Sequence, residues 1–163
     1  MHRALIKAGA GPVPLSAGTE VGEGIKIIYD PGTAMECTVR AAPSGQGIIL
    51  HGDNRAPADW FGVELDLHTA TQAVRITCRN YPAERLFPRL FYDRGDEKGL
   101  AVDLPDVAAS VQIAERVLEA RLWAGDARFA SAPADALRLA LFVPSSVWFA
   151  MEIRAITVQV ADA

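Results

Sequence analysis

The chain has 163 residues, 50% of them apolar and 22% charged, and a formal net charge of −4. That balance describes one ordinary globular domain spanning 1–163, large enough to bury about 70% of the surface its unfolded chain exposes. The acidic surplus and the scarcity of lysine (Lys7, Lys26 and Lys98 only) argue against a nucleic-acid partner and against a basic helix lying on a membrane.

The N-terminus carries the basic pair His2-Arg3 but only a three-residue apolar run before Lys7. A secretory signal needs about 7–15 apolar residues, and no stretch approaches the roughly 20 of a membrane-spanning helix. The expected location is cytoplasmic, or within a longer polypeptide. Ala4–Ala8 is the first strand candidate. Residues 10–24, punctuated by Gly11, Pro12, Pro14, Gly18, Gly22 and Gly24, are expected to form an irregular surface arm.

Strands are then predicted at Ile25–Tyr29, ended by Asp30-Pro31-Gly32, at Glu36–Ala41, ended by Pro43-Ser44-Gly45, and at Gly47–His51, ended by Gly52-Asp53-Asn54. The clearest follows at Phe61–Leu67. There Phe61, Val63, Leu65 and Leu67 alternate with Gly62, Glu64 and Asp66, the period of a strand buried on one side and wet on the other. In Ala73–Arg79, Val74, Ile76 and Cys78 should face inward while Arg75, Thr77 and Arg79 face solvent. Arg89–Asp93 and Leu100–Leu104 read as a hairpin with a longish charged loop, Arg94 to Lys98. Arg94-Gly95-Asp96 also spells an adhesion tripeptide, which is taken here as turn composition.

Residues 106–123 support two readings. Val107, Val111, Ala114, Leu118 and Leu122 fit a helical face capped by Asp106; Val111 and Ile113, then Leu118, Ala120 and Leu122, fit two short strands. We take the strands, because the neighbouring segments are strands and Glu119, Arg121 and Trp123 would form an exposed row. Leu137–Val143 and Trp148–Val160 close the chain, the latter changing parity near Arg154-Ala155 as a β-bulge would. About ten strands without a β-α rhythm predict an all-β fold, an antiparallel β-sandwich or jelly roll, with at most one short helix within 106–123.

Catalytic patterns are weak. No serine lies in G-x-S-x-G, no cysteine or histidine spacing suits a metal, and the glycines of 18–24 match no phosphate-binding loop. A small sugar-active enzyme could use Glu64 with Asp66 as a carboxylate pair, or His51 with Glu64 or Asp66 as acid and base, but alternate acids on a strand more often form a solvated row. Cys37 and Cys78 read as small buried hydrophobes; whether they pair is left open by the sequence. Aromatic and planar polar residues are more suggestive. A sugar offers apolar C–H faces beside hydroxyls, so its site wants an aromatic platform with Asp, Asn or Arg neighbours. Arg79, Asn80 and Tyr81 make one such group; Asp53, Asn54, Arg55, Asp59 and Trp60 make another; Trp123 and Tyr92 are further exposed-parity aromatics.

Three stretches, Leu90 to Gly95, Leu137 to Pro144 and Phe149 to Val158, resemble the closing strands of carbohydrate-binding modules and the wider galactose-binding-like jelly rolls. Similar sandwiches are appended to bacterial glycosyltransferases and polysaccharide enzymes. The resemblance implies a non-catalytic glycan- or polysaccharide-binding module with no organic cofactor; no binding motif of the family matches position by position, and the candidate ligand-binding residues Trp60, Asp53, Asn54, Arg55, Arg79, Asn80, Tyr81 and Trp123 come from the aromatic and planar polar groups above. Many such domains hold a structural calcium, but no ligand set for one is identifiable here. The alternatives are a structural or protein-interaction sandwich that meets a partner or forms a homo-oligomer, and the small enzyme above.

Overall fold

The computed structural model describes residues 1–30, 36–53, 60–81, 85–108, 111–143 and 148–161. In chain order the elements are β1 (Val13–Leu15), β2 (Glu20–Gly22), β3 (Ile25–Tyr29), β4 (Glu36–Ala41), β5 (Ile48–Asp53), β6 (Phe61–Leu67) and β7 (Thr71–Tyr81). Then come β8 (Phe87–Arg94), β9 (Glu97–Asp103), β10 (Ala114–Glu119), α1 (Arg121–Ala124), α2 (Ala127–Ala130), β11 (Ala136–Val143) and β12 (Trp148–Val160). The strands form two six-stranded antiparallel sheets: sheet I in the order β1-β4-β5-β12-β7-β10, and sheet II in the order β2-β3-β6-β11-β8-β9.

Alternation sets which side of each strand is buried. Phe61, Val63, Leu65 and Leu67 of β6 lie beside Leu137, Leu139, Leu141 and Val143 of β11, and all eight are buried between the sheets. Sheet I contributes Val74, Ile76 and Cys78 from β7 and Phe149, Met151, Ile153, Ile156 and Val158 from β12. The two layers meet where Phe61 packs on Phe149 with ring centroids 3.9 Å apart. Gly52 makes room for this: a β-carbon there would lie 2.1 Å from the Phe149 ring. The 13-residue β12 keeps its apolar side inward along its whole length because its register against β7 shifts between Ile153 and Ala155. That is the predicted bulge.

The structure corrects several expectations. Residues 4–8 form no strand. The N-terminal segment is instead a strap from one sheet to the other: Met1 and Arg3 bond to Val158 and Ile156 of sheet I, while Ala4 and Ile6 bond to Glu23 and Val21 at sheet II. The expected irregular arm contains two edge strands, β1 and β2, and Pro14 is tolerated in β1 because an edge strand need not donate on both sides. The β8–β9 loop is tight rather than long, with Gly95 at φ +56° between the paired Arg94 and Glu97.

Of residues 106–123, one strand, β10, pairs with β7, and α1 follows directly. Val111 is exposed and Leu118 buried, so the two short strands expected there are replaced by a single register. α2 was not anticipated; Asp126 caps it by accepting a bond from the Phe129 N–H at 2.9 Å. Four-residue helices are too short to produce a periodic signal. Cys37 and Cys78 are both buried and free. They stand on β4 and β7 with β5 and β12 between, so three strand spacings, about 14 Å, separate their strands.

Candidate functional site

Cross-strand register builds a site on the outer face of sheet I. One row runs Arg40 (β4), Ile49 (β5), Glu152 (β12), Arg79 (β7), and the next runs Thr38, His51, Ala150, Tyr81. A third places Glu36 beside Asp53 at the strand ends. These rows border an open cleft of about 290 Å³ whose lining includes Arg40, Ile49, Arg79, Tyr81, Ala150 and Glu152. Ile49 gives it an apolar floor. Tyr81, 50% exposed at the end of β7, lies at its border.

Glu152 is the electrostatic centre. It is only 3% exposed although it sits in the middle of a sheet. A buried carboxylate persists only when paired, and this one is held from two sides: Arg79 Nη2 lies 3.0 Å from Oε1 and Arg154 Nε 2.8 Å from Oε2. Arg154 shares the outward parity of Ala150 and Glu152, and the shift after Ile153 changes the parity only of the residues that follow it. Arg40 forms no ion pair among the described residues, and its row neighbour is Ile49.

The predicted residues divide accordingly. Arg79, Tyr81 and Asp53 share this outer face. Asn80 borders the cleft but is buried on the inward parity of β7. Asn54, Arg55 and Asp59 lie outside the described residues. Trp60 belongs to the opposite face of the molecule: it packs edge-on against Phe142 of β11, ring centroids 5.9 Å apart, beside the exposed Phe87 on the outside of sheet II. Trp123 is a correction. It sits on α1, 2% exposed within the core, where it cannot stack on a ligand. Tyr92 is likewise buried rather than exposed.

Sequence reading missed Arg40, Ile49 and Glu152. Alternation alone would have placed Arg40 and Glu152 outward, but their meeting depends on which strands become neighbours. The acid–base set is also corrected: His51 faces outward on sheet I, whereas Glu64 and Asp66 lie on β6 of sheet II, across a sandwich whose layers are about 10 Å apart. Burial pushes the Cys37 thiol up to about 12 and the Cys78 thiol up to about 11, so neither is a nucleophile at neutral pH.

For the calcium that the resemblance implies, no group of three His, Cys, Asp or Glu side chains among the described residues could hold a metal ion. A cage of carbonyls does exist, from Arg128, Phe129, Ala132 and Pro133, but the guanidinium of Arg94 fills it. The described residues therefore show no carboxylate set for a calcium ion. The same cage explains the Arg94-Gly95-Asp96 tripeptide as architecture, since its arginine is engaged internally.

No protein-family model matches this chain, and no curated protein does. Among solved structures, it is similar to the CBM22-1 xylan-binding domain from Paenibacillus barcinonensis Xyn10C, at 14% identity and a TM-score of 0.55, covering 96% of this chain and 99% of that one. It is similar to the family 11 carbohydrate-binding module of a cellulosomal cellulase of Clostridium thermocellum, at 7% identity and a TM-score of 0.53 over 94% of this chain and 97% of that one. A variant of a family 29 carbohydrate-binding module matches at 11% identity and a TM-score of 0.51, over 96% and 90%. At these identities the likeness establishes the fold, that of carbohydrate-binding modules, and the fold alone.

Proposed function

We propose that the chain is a non-catalytic glycan-binding module whose ligand lies across the outer face of sheet I. The observation that carries this reading is the half-exposed Tyr81 standing beside an open cleft with an apolar floor at Ile49 and guanidinium walls at Arg40 and Arg79. An aromatic ring with planar hydrogen-bond donors around a shallow apolar floor suits a pyranose ring, which has one apolar face and an equatorial belt of hydroxyls. Separation of His51 from Glu64 and Asp66 weighs against the enzyme alternative that joined them. The fold shared with modules of families 11, 22 and 29 supports the same reading.

Affinity electrophoresis through gels containing xylan, mixed-linkage β-glucan or galactomannan, with polygalacturonate and alginate beside them, tests it. Retardation by at least one polysaccharide, abolished in Tyr81→Ala and retained in Trp60→Ala, is expected. Retention of none, or dependence on Trp60 instead of Tyr81, overturns it.

A second reading rests on the outside of sheet II, where Trp60 (44% exposed), Phe142 and Phe87 make an aromatic patch beside the Arg89–Asp103 pair. That patch would suit association with a second copy of this chain. Sedimentation showing a dimer that Trp60→Ala dissociates would favour it; a monomer at all concentrations would reject it.

A further inference from the structure

We propose that the ligand of the sheet I face is an acidic glycan, a polysaccharide bearing uronate carboxylates. This rests on the glycan-binding reading and names the ligand class of the same cleft.

The charge inventory points this way. Two guanidinium groups, Arg40 and Arg79, and one carboxylate, Glu152, line the cleft with Ile49, and a third guanidinium, Arg154, reaches Glu152 from outside that lining. Glu152 spans two of them, which leaves the site with a surplus of two positive charges in a protein whose net charge is −4. The surplus is therefore local and runs against the sign of the whole chain. The acidic pair on the same face, Glu36 and Asp53, lies two register rows from Arg40, about 13 Å along the strands, and does not neutralise the cluster.

The geometry of the three arginines differs in a useful way. Glu152 holds one edge of the Arg79 guanidinium through Nη2, while the Arg79 side chain remains 44% exposed, so the group is both fixed and accessible. Glu152 is thus a positioning residue, aiming Arg79 without consuming all of its donors. Arg40 has no ion-pair partner among the described residues and stands over an isoleucine floor. An arginine held against apolar surface gains more from a carboxylate than a fully hydrated one, and its planar fork suits bidentate contact. A neutral sugar would leave this surplus charge unmet; a uronate would neutralise it while its ring meets Tyr81.

Isothermal titration with polygalacturonate, alginate and glucuronoxylan, each against its carboxyl-reduced counterpart, tests the proposal at low and high salt. The reduced polymer keeps the backbone and loses only the charge. At least one uronate polymer should bind about tenfold more tightly than its reduced form, with affinity falling as salt rises. Arg40→Ala should remove that preference, and Arg40→Lys should restore part of it, while thermal melting shows both variants folded.

Equal binding of charged and reduced polymers, or a preference unchanged by Arg40→Ala, overturns the acidic-ligand proposal and leaves the glycan-binding reading standing. Binding of no polymer, neutral or acidic, overturns both.

Discussion

The two outer faces of this sandwich are built from the same alternating strands yet differ in how fully their charges pair among the described residues. On sheet II the charged residues answer one another: Lys26 and Arg138 both approach Glu64 at 3.9 Å, Arg138 reaches Asp93 at 3.1 Å, and Arg89 reaches Asp103 at 2.7 Å. On sheet I Arg75 meets Glu115 at 3.2 Å and Arg79 and Arg154 share Glu152, but Arg40 is left over. A face whose charges are internally satisfied contributes to the sheet's own cohesion. A face with surplus guanidinium groups over an apolar floor has its interaction capacity directed outward. Under the proposed reading the contrast divides labour between the layers, sheet II for stability and sheet I for binding.

The largest break in that division should come from Arg94. Its guanidinium donates to the carbonyls of Arg128, Phe129, Ala132 and Pro133, tying α2 and the segment after it to the end of β8, and it lies 5.1 Å from the Tyr92 ring centroid. Arg94→Ala leaves those carbonyls with water as their only replacement donor. We expect a loss of about 2 kcal/mol, discounted for the partial exposure of the bonds, and a Tm lower by about 5 °C. Glycan affinity should stay within twofold. A fall in affinity as large as the fall in stability would mean the two halves are not independent.

Tyr81 and Trp60 sharpen the same contrast from the binding side. Tyr81→Ala should lower glycan affinity about tenfold, the scale of a lost stacking contact with its hydrogen bond, and leave Tm unchanged within about 1 °C. Trp60→Ala, on the opposite face, should leave affinity unchanged. Calorimetric titration of both variants with one bound polysaccharide decides it, and an effect of Trp60 equal to that of Tyr81 would put the ligand elsewhere.

A smaller effect, of opposite sign, is expected in the core between the faces. The Tyr92 hydroxyl is fully buried and has no hydrogen-bond partner among the described residues, while its ring makes an edge contact with Phe129 at 5.2 Å. An unsatisfied buried hydroxyl costs about 1 kcal/mol or more relative to a hydrogen in its place. Tyr92→Phe should therefore raise the denaturation midpoint slightly, with the ring contact retained. A destabilised variant would show that the hydroxyl has a partner that matters.

How much of this was legible in the sequence depends on whether the relevant physics is local. β3, β4, β6 and β12 begin and end where alternation begins and ends, because inward-facing side chains of a half-buried strand are set by position along that strand alone. The bulge in β12 was equally readable from its change of parity. The strap at residues 1–8 was not, since its apolar residues are shared between two sheets. Trp123 misled because a four-residue helix turned it inward, out of the parity its strand neighbours suggested. The cluster of Arg40, Glu152, Arg79 and Arg154 could not be assembled from sequence at all. It draws on β4, β12 and β7, which become neighbours or near-neighbours only through the sheet order, while Tyr81 and Arg79 were found because they sit on one strand.

The smallest effect tests whether sheet II's internal pairing contributes measurably. Asp93 accepts the Gly99 N–H at 2.9 Å and the Arg138 guanidinium at 3.1 and 3.4 Å, and the backbone bond first, then Arg138, holds its carboxyl below the usual carboxylate range. In the unfolded chain the same group returns to about 3.9. A carboxylate whose pKa is lower in the folded state stabilises that state above the unfolded pKa, and the contribution disappears as pH falls through the lower, folded value. Asp93→Asn removes the titration while keeping an oxygen that can accept from Gly99. Wild type should therefore exceed the variant in stability at neutral pH, by a margin that stays constant down to about pH 5 and then shrinks on acidification. Urea midpoints measured along that pH series check it. A margin that persists undiminished in acid would arise from the shape of the asparagine rather than from charge, and sheet II's paired ladder would then be passive decoration on a sheet held together by its buried side alone.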